Sequence, residues 1–323
     1  MLAIARGPNG FVAVGGGGSI EGLGGALAWY STGGDRWELT LDRHAERDGS
    51  GLRDVVATAD GFVAVGDNPT GPAVWRSTDG RSWSAVDDAS VPAGPTHDAL
   101  IALAAHDGGL LAIGFATEDD EQVATAWSSV DGIAWTRLAV PSSYAAARPS
   151  GITVNEDGRG IIAGMSGSGS GDPVAWPVVG GRIGDPIVLA RDEEETQVGP
   201  AVTTPDGFVI LGGRWDPAEA AYRLLAWTSE DGVAWEIEET EAIGLAAGAA
   251  YVDGLGLVLV GQTYRLETSE VAMWQRSESG GWTTRLIEDS NGSGAGLATD
   301  PSGRLIVIGS DDPDGAATVW LEP

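Results

Sequence analysis

Tryptophan recurs along this chain with a nearly fixed period. Trp29, Trp75, Trp127, Trp176, Trp227, Trp274 and Trp320 follow one another at intervals of 46, 52, 49, 51, 47 and 46 residues. In five copies a second tryptophan stands eight residues later, at Trp37, Trp83, Trp135, Trp235 and Trp282, so twelve of the thirteen tryptophans obey the spacing. A period of this length marks a supersecondary unit that buries its apolar surface against copies of itself, and a β-propeller is the leading candidate.

Seven apolar runs keep the same time: Gly10–Gly15, Gly61–Gly66, Gly109–Gly114, Gly160–Gly164, Gly207–Gly212, Gly256–Gly261 and Arg304–Gly309. They are short, rich in β-branched residues and mostly bounded by glycine, the pattern of strands buried on both faces. Inner strands of a propeller blade, sandwiched between two neighbouring blades, meet that environment. Each run follows a turn signal such as Asn9-Gly10, Asp60-Gly61 or Asp206-Gly207, with a further short strand upstream, as at 52–58 and 100–104. The unit is therefore A-strand, tight turn, B-strand, variable loop, C-strand carrying Trp, tight turn, D-strand. We read the chain as all-β, a single seven-bladed β-propeller over 1–323 with four antiparallel strands per blade. The repeats run near 1–40, 52–86, 99–139, 151–189, 200–237, 246–287 and 295–323. The seventh stops at Trp320-Leu321-Glu322-Pro323 and only Met1 precedes the first A-strand, which predicts a last blade lacking its outer strand.

The turn after the C-strand has its own signature. Ser77-Thr78-Asp79-Gly80-Arg81-Ser82-Trp83 recurs as Ser129-Val130-Asp131-Gly132-Ile133-Ala134-Trp135 and Ser229-Glu230-Asp231-Gly232-Val233-Ala234-Trp235. The aspartate can accept hydrogen bonds from turn amides, glycine can adopt positive φ, and the tryptophan can pack beneath the hairpin. This turn resembles the Asp-box of bacterial neuraminidase repeats, found in sialidases, sortilin-type receptors and photosystem II assembly propellers. The usual box has one more residue between Asp and Gly, so this is a shortened variant. Ser31-Thr32-Gly33-Gly34-Asp35-Arg36-Trp37 and Glu278-Ser279-Gly280-Gly281-Trp282 are degenerate copies, and Val179-Gly180-Gly181-Arg182-Ile183 has lost its second tryptophan. The resemblance implies a structural role for Ser77, Asp79, Gly80, Trp83, Ser129, Asp131, Gly132, Trp135, Ser229, Asp231, Gly232 and Trp235. It also implies an extracytoplasmic or cell-surface setting, although Met1–Gly7 lacks the features of a signal peptide.

The net charge is −29, with 47 acids against 18 bases, every base an arginine. Such a field disfavours nucleic acid and anionic membrane surfaces. It fits solubility or salt adaptation, or attraction of a basic partner. No run reaches the ~18–20 apolar residues of a membrane span. Cysteine is absent, which removes disulfides, thiolate metal sites and thiol nucleophiles.

Chain direction puts the A-to-B and C-to-D turns on one face of the ring and the B-to-C and D-to-A loops on the other. The turns are uniform, whereas the loops vary in length and chemistry, so the loop face is the expected binding surface. Trp215, the tryptophan outside the period, falls in such a loop with Arg214. Tyr222, Tyr264, Arg265, Tyr144 and Arg148 are placed on the same face. Aromatics beside arginine and acids suit stacking on a sugar or anchoring a peptide; the competing reading is that Trp215 packs its own loop against a neighbouring blade.

The sequence carries no recognisable catalytic set. A sialidase needs an arginine cluster, a Tyr–Glu nucleophile pair and an acid; the family's Arg-Ile-Pro signature is missing, and nothing around Arg6, Arg53 and Arg148 specifies three guanidinium groups converging on the channel. His44, His97 and His106 lack metal spacing. Asp311-Asp312-Pro313-Asp314-Gly315 bunches carboxylates, but the twelfth position of an EF-type loop starting at Ser310 is Leu321. The Ser166–Gly171 stretch is a flexible loop. The expectation is a monomeric, non-enzymatic propeller without cofactor, a calcium ion being compatible with the carboxylate loops but specified by no motif, and binding an unidentified protein, peptide or glycan. The alternatives are a sialidase-like glycoside hydrolase and a purely structural repeat domain of a longer cell-surface protein.

Overall fold

The computed structural model describes residues 1–16, 25–43, 50–87, 90–91, 99–118, 121–167, 171–189, 195–264, 269–277, 280–287, 290, 292–311 and 316–322. They form seven small antiparallel sheets. Blade 1 is β1 (Ala3–Gly7), β2 (Gly10–Gly16), β3 (Ala26–Ser31) and β4 (Glu38–Asp42). Blade 2 is β5 (Gly51–Thr58), β6 (Gly61–Asn68), β7 (Gly71–Ser77) and β8 (Ser84–Ala85). Blade 3 is β9 (Ala99–His106), β10 (Gly109–Glu118), β11 (Glu121–Ser129) and β12 (Thr136–Arg137), followed by the one-turn helix α1 (Ser142–Ala145). Blade 4 is β13 (Arg148–Val154), β14 (Arg159–Met165), β15 (Pro173–Val179), β16 (Arg182–Ile183) and β17 (Ile187–Val188). Blade 5 is β18 (Thr196–Thr204), β19 (Gly207–Asp216), β20 (Ala221–Ser229) and β21 (Glu236–Ile243). Blade 6 is β22 (Leu245–Val252), β23 (Gly256–Tyr264), β24 (Ser269–Arg276) and β25 (Trp282–Leu286). Blade 7 has three strands, β26 (Gly292–Thr299), β27 (Leu305–Asp311) and β28 (Ala316–Glu322).

The A-strands touch one another round the ring, from β1 through β5, β9, β13, β18, β22 and β26 back to β1, and so line the central channel. The B-strand runs are buried along their length, with Val12, Ala64, Ile113, Ala163, Ile210, Leu259 and Val307 shut off from solvent. Each blade therefore presents two apolar faces, and the core is a set of inter-blade layers. Trp127, Trp176, Trp227 and Trp274 are fully buried in these layers.

Two local devices explain the glycines of the repeat. In six blades the A-strand bulges near the start of its pairing with the end of the B-strand, as at Leu52/Asp54 and Leu100/Ala102. The bulge drives an A-strand carbonyl against the last glycine of the B-run, so a Cβ at Gly66 would collide with the Gly51 carbonyl oxygen. The A-to-B turns need positive φ, which Gly61 (126°) and Gly207 (128°) supply.

Asp54, next to the blade 2 bulge, projects toward the A-strand of blade 3. Its carboxylate accepts the Leu103 amide at 2.7 Å and the Val55 amide at 2.8 Å. The corresponding positions in other blades are Ala3, Ala102, Gly151, Gly248 and Gly296, all small. Burial among A-strands pushes its pKa up to about 7, and the two amides only partly offset this.

Blade 4 departs from the four-strand plan. Its fourth strand is split into β16 and β17, both paired with β15. Pro177 sits between them on β15 and has no N–H to give, so the ladder lapses and only its carbonyl is used, by Gly184 at 2.8 Å.

Blade 7 closes on blade 1 without a shared strand. The Met1 amine donates to the Gly309 carbonyl (3.1 Å), Arg6 to Thr299 (3.1 Å) and Arg304 to Gly33 (3.0 Å). Arg304 is held by Asp300, whose carboxyl is pushed down to about 2, first by the Ser302 hydroxyl and then by backbone amides and Arg304 itself.

Candidate binding site

The B-to-C segment of blade 5, expected as a loop over Gly213–Leu224, is instead a β-hairpin. Its strands stay paired to the tip, Arg214 opposite Arg223, Trp215 opposite Tyr222 and Asp216 opposite Ala221. The segment over Phe115–Thr125 likewise pairs out to Glu118–Glu121. Blade 5 adds a long third strand here, since β21 extends to Ile243 and pairs with Arg223.

Strand alternation sorts the hairpin's side chains into two groups. Trp215 and Tyr222 meet edge to face, ring centroids 5.2 Å apart, and both are half-buried. The Tyr222 hydroxyl donates to Glu195 at 2.8 Å. On the other side, Arg214 pairs with Glu239 (2.6 Å), and Arg223 pairs with Asp216 (2.6 Å) and Glu241 (2.8 Å). A cleft of about 370 Å³ opens among Arg214, Trp215, Asp216, Arg223, Glu239 and Glu241. Asp216 also caps the turn through the Ala218 amide (2.8 Å), and Arg223 leads the interactions that hold its carboxyl below the usual range. At the tip, Ala220 has φ 49°, the one non-glycine residue with positive φ among the described residues.

Two arginines and five acids (Glu195, Asp216, Glu219, Glu239, Glu241) leave the hairpin's surroundings negative. The sequence reading missed Glu195, Glu239 and Glu241, which come from before β18 and from β21. Their only signal was membership of the same blade.

The other expected ligand residues do not join this cluster. Tyr144 is fully buried in α1, edge-on to Trp176 at 5.3 Å, with its hydroxyl on the Thr125 carbonyl. Its placement on the binding surface is corrected: the one-turn helix tucks the ring between blades 3 and 4. Arg148 is exposed at the start of β13, in a different blade from the hairpin. Tyr264 ends β23 opposite Ser269, and its side chain lies outside the described residues, as do Arg265, His44, His97, Glu278, Ser279 and residues 168–170 and 312–315. Arg6 and Arg53 sit at opposite ends of their A-strands, on the Thr299 carbonyl and on Asp67 respectively, so these two arginines do not converge.

On the opposite face, the Ser-x-Asp-Gly turns are self-contained. Asp79 accepts the Arg81 and Ser82 amides at 2.8 and 2.7 Å, and the Ser77 hydroxyl takes the Gly80 amide at 2.8 Å. Asp131 and Asp231 repeat this on Ile133/Ala134 and Val233/Ala234, with Ser129 and Ser229 capping Gly132 and Gly232. These amides hold all three carboxyls below the ordinary range. Trp83 donates to Gly80 and to Thr40 of blade 1; Trp282 likewise donates to Glu238 of blade 5. The indole N–H groups of Trp135 and Trp235 are buried without a partner among the described residues. This face also carries clefts that the uniform turns did not announce. One of about 990 Å³ lies between blades 5 and 6, beside Asp206, Asp231, Trp235, Tyr251 and Arg276. Another of about 470 Å³ lies beside Asp60, His106, Asp131 and Glu156.

Among the described residues no group of three or more His, Asp or Glu side chains is placed to hold a metal ion, and no helix is long and apolar enough to cross a membrane.

The chain is similar in fold to known propellers. The WD40 β-propeller domain of Doa1 aligns over 98% of this chain and 90% of its own, with TM-score 0.60 and 12% identity. A protein of unknown function from Dyadobacter fermentans aligns over 98% and 92%, with TM-score 0.57 and 11% identity. A streptogramin B lyase aligns over 99% and 93%, with TM-score 0.52 and 9% identity. Identities this low establish the seven-bladed propeller fold alone. No protein-family model matches the chain, and no curated protein sequence matches it.

Proposed function

We propose that this propeller is a non-enzymatic binding or assembly module that engages its partner through the variable-loop face, at the blade 5 hairpin. The observation that carries the reading is the half-buried Trp215–Tyr222 pair, held on a rigid strand ladder beside a cleft rather than on a loose loop. Rigid aromatic anchors contribute contact area at small entropic cost. The left-handed Ala220 at the tip supports it, since backbone strain of this kind concentrates at functional segments. Both arginines are neutralised by carboxylates and the surroundings remain acidic, so the partner chemistry favoured is a polypeptide carrying Lys or Arg. The shortened Asp-box resemblance belongs to the same proposal, as does the extracytoplasmic setting it implies; the turns then serve as frame.

The test is to probe arrays of basic peptides and of glycans with labelled wild type and with the Trp215→Ala/Tyr222→Ala variant. Peptide signals lost in the variant support the reading. Signals equal in both proteins place binding elsewhere, and glycan-only signals that depend on the pair change the ligand class. Turnover of a fluorogenic sialoside by the wild type would overturn the non-enzymatic part.

A further inference from the structure

In four blades the C-to-D turn closes against the blade before it. A Cβ at Gly34 would meet Ile306 of blade 7, at Gly80 Tyr30 of blade 1, at Gly132 Val63 of blade 2, and at Gly232 Ile161 of blade 4. Arginines clamp three of these junctions. Arg304 donates to the Gly33 carbonyl (3.0 Å) and Arg159 to the Asp231 carbonyl (3.2 Å), each from the head of a B-strand to the turn of the next blade. Arg81, in the turn of blade 2, lies over the Tyr30 ring at 3.8 Å.

The junction between blades 5 and 6 is built differently. Register puts Gly207 at the head of β19, where Arg159 and Arg304 stand in their own blades. The blade 6 turn is a degenerate copy, and a Cβ at Gly280 would meet nothing within 4 Å among the described residues. The two blades are tied through the outer strand instead, where Glu238 accepts from Arg276 (2.8 Å) and from the Trp282 indole (2.6 Å). This leaves the cleft of about 990 Å³ open between them. Buried Phe208, Val209 and Leu257 line it together with the half-buried rings of Trp235 and Tyr251. A further cleft of about 370 Å³ shares Asp206, Phe208 and Glu230 with it and runs on to Asn155 and Arg159 of blade 4. The two form one groove across three blades, which suits an extended segment better than a compact ligand.

The lining also sets the charge of the occupant. Asp206, Glu230 and Glu236 are exposed, and among the described residues their carboxylates take no hydrogen bond or ion pair. Against them stands Arg159 at the blade 4 end, the charge of Arg276 being matched by Glu238. A second copy of this chain would bring its own net charge of −29 to the contact. We propose that this groove is a docking surface on the turn face, independent of the blade 5 hairpin, for an extended segment of another polypeptide. An apolar side chain of that segment packs against Trp235 and Tyr251, and flanking Lys or Arg residues meet Asp206, Glu230 and Glu236.

The probes are capped, fluorescein-labelled peptides, RKLLKR, RKSSKR and EDLLDE, used at about 50 mM salt, where exposed charges are only partly screened. Fluorescence anisotropy compares the wild type with Asp206→Asn/Glu230→Gln/Glu236→Gln. A control, Asp35→Asn/Glu121→Gln/Asp185→Asn, removes three exposed acids elsewhere. Amide hydrogen exchange on the wild type, with and without RKLLKR, locates the probe. RKLLKR is expected to bind the wild type and the control alike, to bind the groove variant at least tenfold more weakly, and to slow exchange over residues 204–208 and 230–236. RKSSKR is expected to bind the wild type at least tenfold more weakly than RKLLKR, having no apolar side chain to bury, and EDLLDE more weakly still. Absence of binding, equal affinity for the two triple variants, or equal binding of RKSSKR or EDLLDE would overturn the proposal. Protection confined to the Trp215–Tyr222 hairpin would overturn it too and leave the hairpin reading standing. So would a concentration-dependent dimer that the groove variant dissociates, which would make the occupant a second copy. The exchange map uses the wild type alone, so it decides the matter even if the groove variant misfolds.

Discussion

Asp54 makes the pH dependence of this fold predictable in sign and size. Its carboxyl bridges the A-strands of blades 2 and 3 at a position that other blades fill with Ala or Gly. The pKa rises from 3.8 to about 7 on folding, with burial as the main cause. At ~1.4 kcal/mol per unit, ionised Asp54 disfavours the folded state by up to ~4 kcal/mol. Its partial opening to the channel lets water screen some of this, and ~1–3 kcal/mol is the expected effect. A folded-state pKa above the unfolded one means that the contribution is complete at about pH 4 and is lost as pH rises through about 7. The perturbation is Asp54→Ala, which installs the residue of the matching positions in blades 1 and 3. At about pH 4.5 the variant should be less stable by ~1–2 kcal/mol, because the Leu103 and Val55 amides lose their acceptor. By about pH 8.5 it should equal or exceed the wild type. Comparing urea midpoints of both proteins at each pH cancels the titration of the other acids, and a 13C titration of the Asp54 carboxyl reads its midpoint directly. A stability difference that is flat or grows with pH, or a carboxyl midpoint near 4, would refute the reasoning.

Four further outcomes follow from particular contacts. Gly66→Ala should destabilise by more than ~3 kcal/mol, since its Cβ meets backbone, whereas Gly254→Ala, in open space at φ 78°, should cost only ~1 kcal/mol in the same denaturation assay. Val86 stands where Thr40 and Glu238 stand in their blades, so Val86→Thr should offer the buried Trp135 N–H an acceptor and add ~1 kcal/mol; the gain should vanish in a Trp135→Phe background. Ala220→Gly should relieve the left-handed hairpin tip by ~0.5–1 kcal/mol, seen as a raised midpoint. Asp300, depressed to about 2, contributes stability that is complete above about pH 4 and lost as pH falls through about 2; Asp300→Asn should flatten the acid limb of the unfolding curve and increase amide exchange at the blade 7–blade 1 junction.

The blade count, strand order and short last blade were legible in the sequence because each rests on signals within one repeat: a both-face-buried run, an Asp-Gly turn, and a tryptophan at a set distance. Local chemistry of that kind acts over a few residues, so spacing suffices to read it. The Ser77–Asp79–Gly80 turn was legible for the same reason, its bonds spanning no more than three positions. The candidate site was readable only in part. Arg214, Trp215 and Tyr222 proved to be neighbours, but the extension of their strands, and the glutamates that neutralise the arginines, depended on pairing across the blade. Tyr144 shows the converse, an aromatic in an apparent loop that a single helical turn drives into the core.

What the sequence alone determined is thus the repeated unit and its number. Tertiary structure decided what strand pairing and blade packing set: the collision that makes Gly66 obligatory and the break at Pro177 within single blades, and the raised carboxyl of Asp54 between the A-strands of two. Each depends on which backbone stands beside which. Register within a blade sets the first two and the packing of neighbouring blades the third, and no short run of residues spells out either.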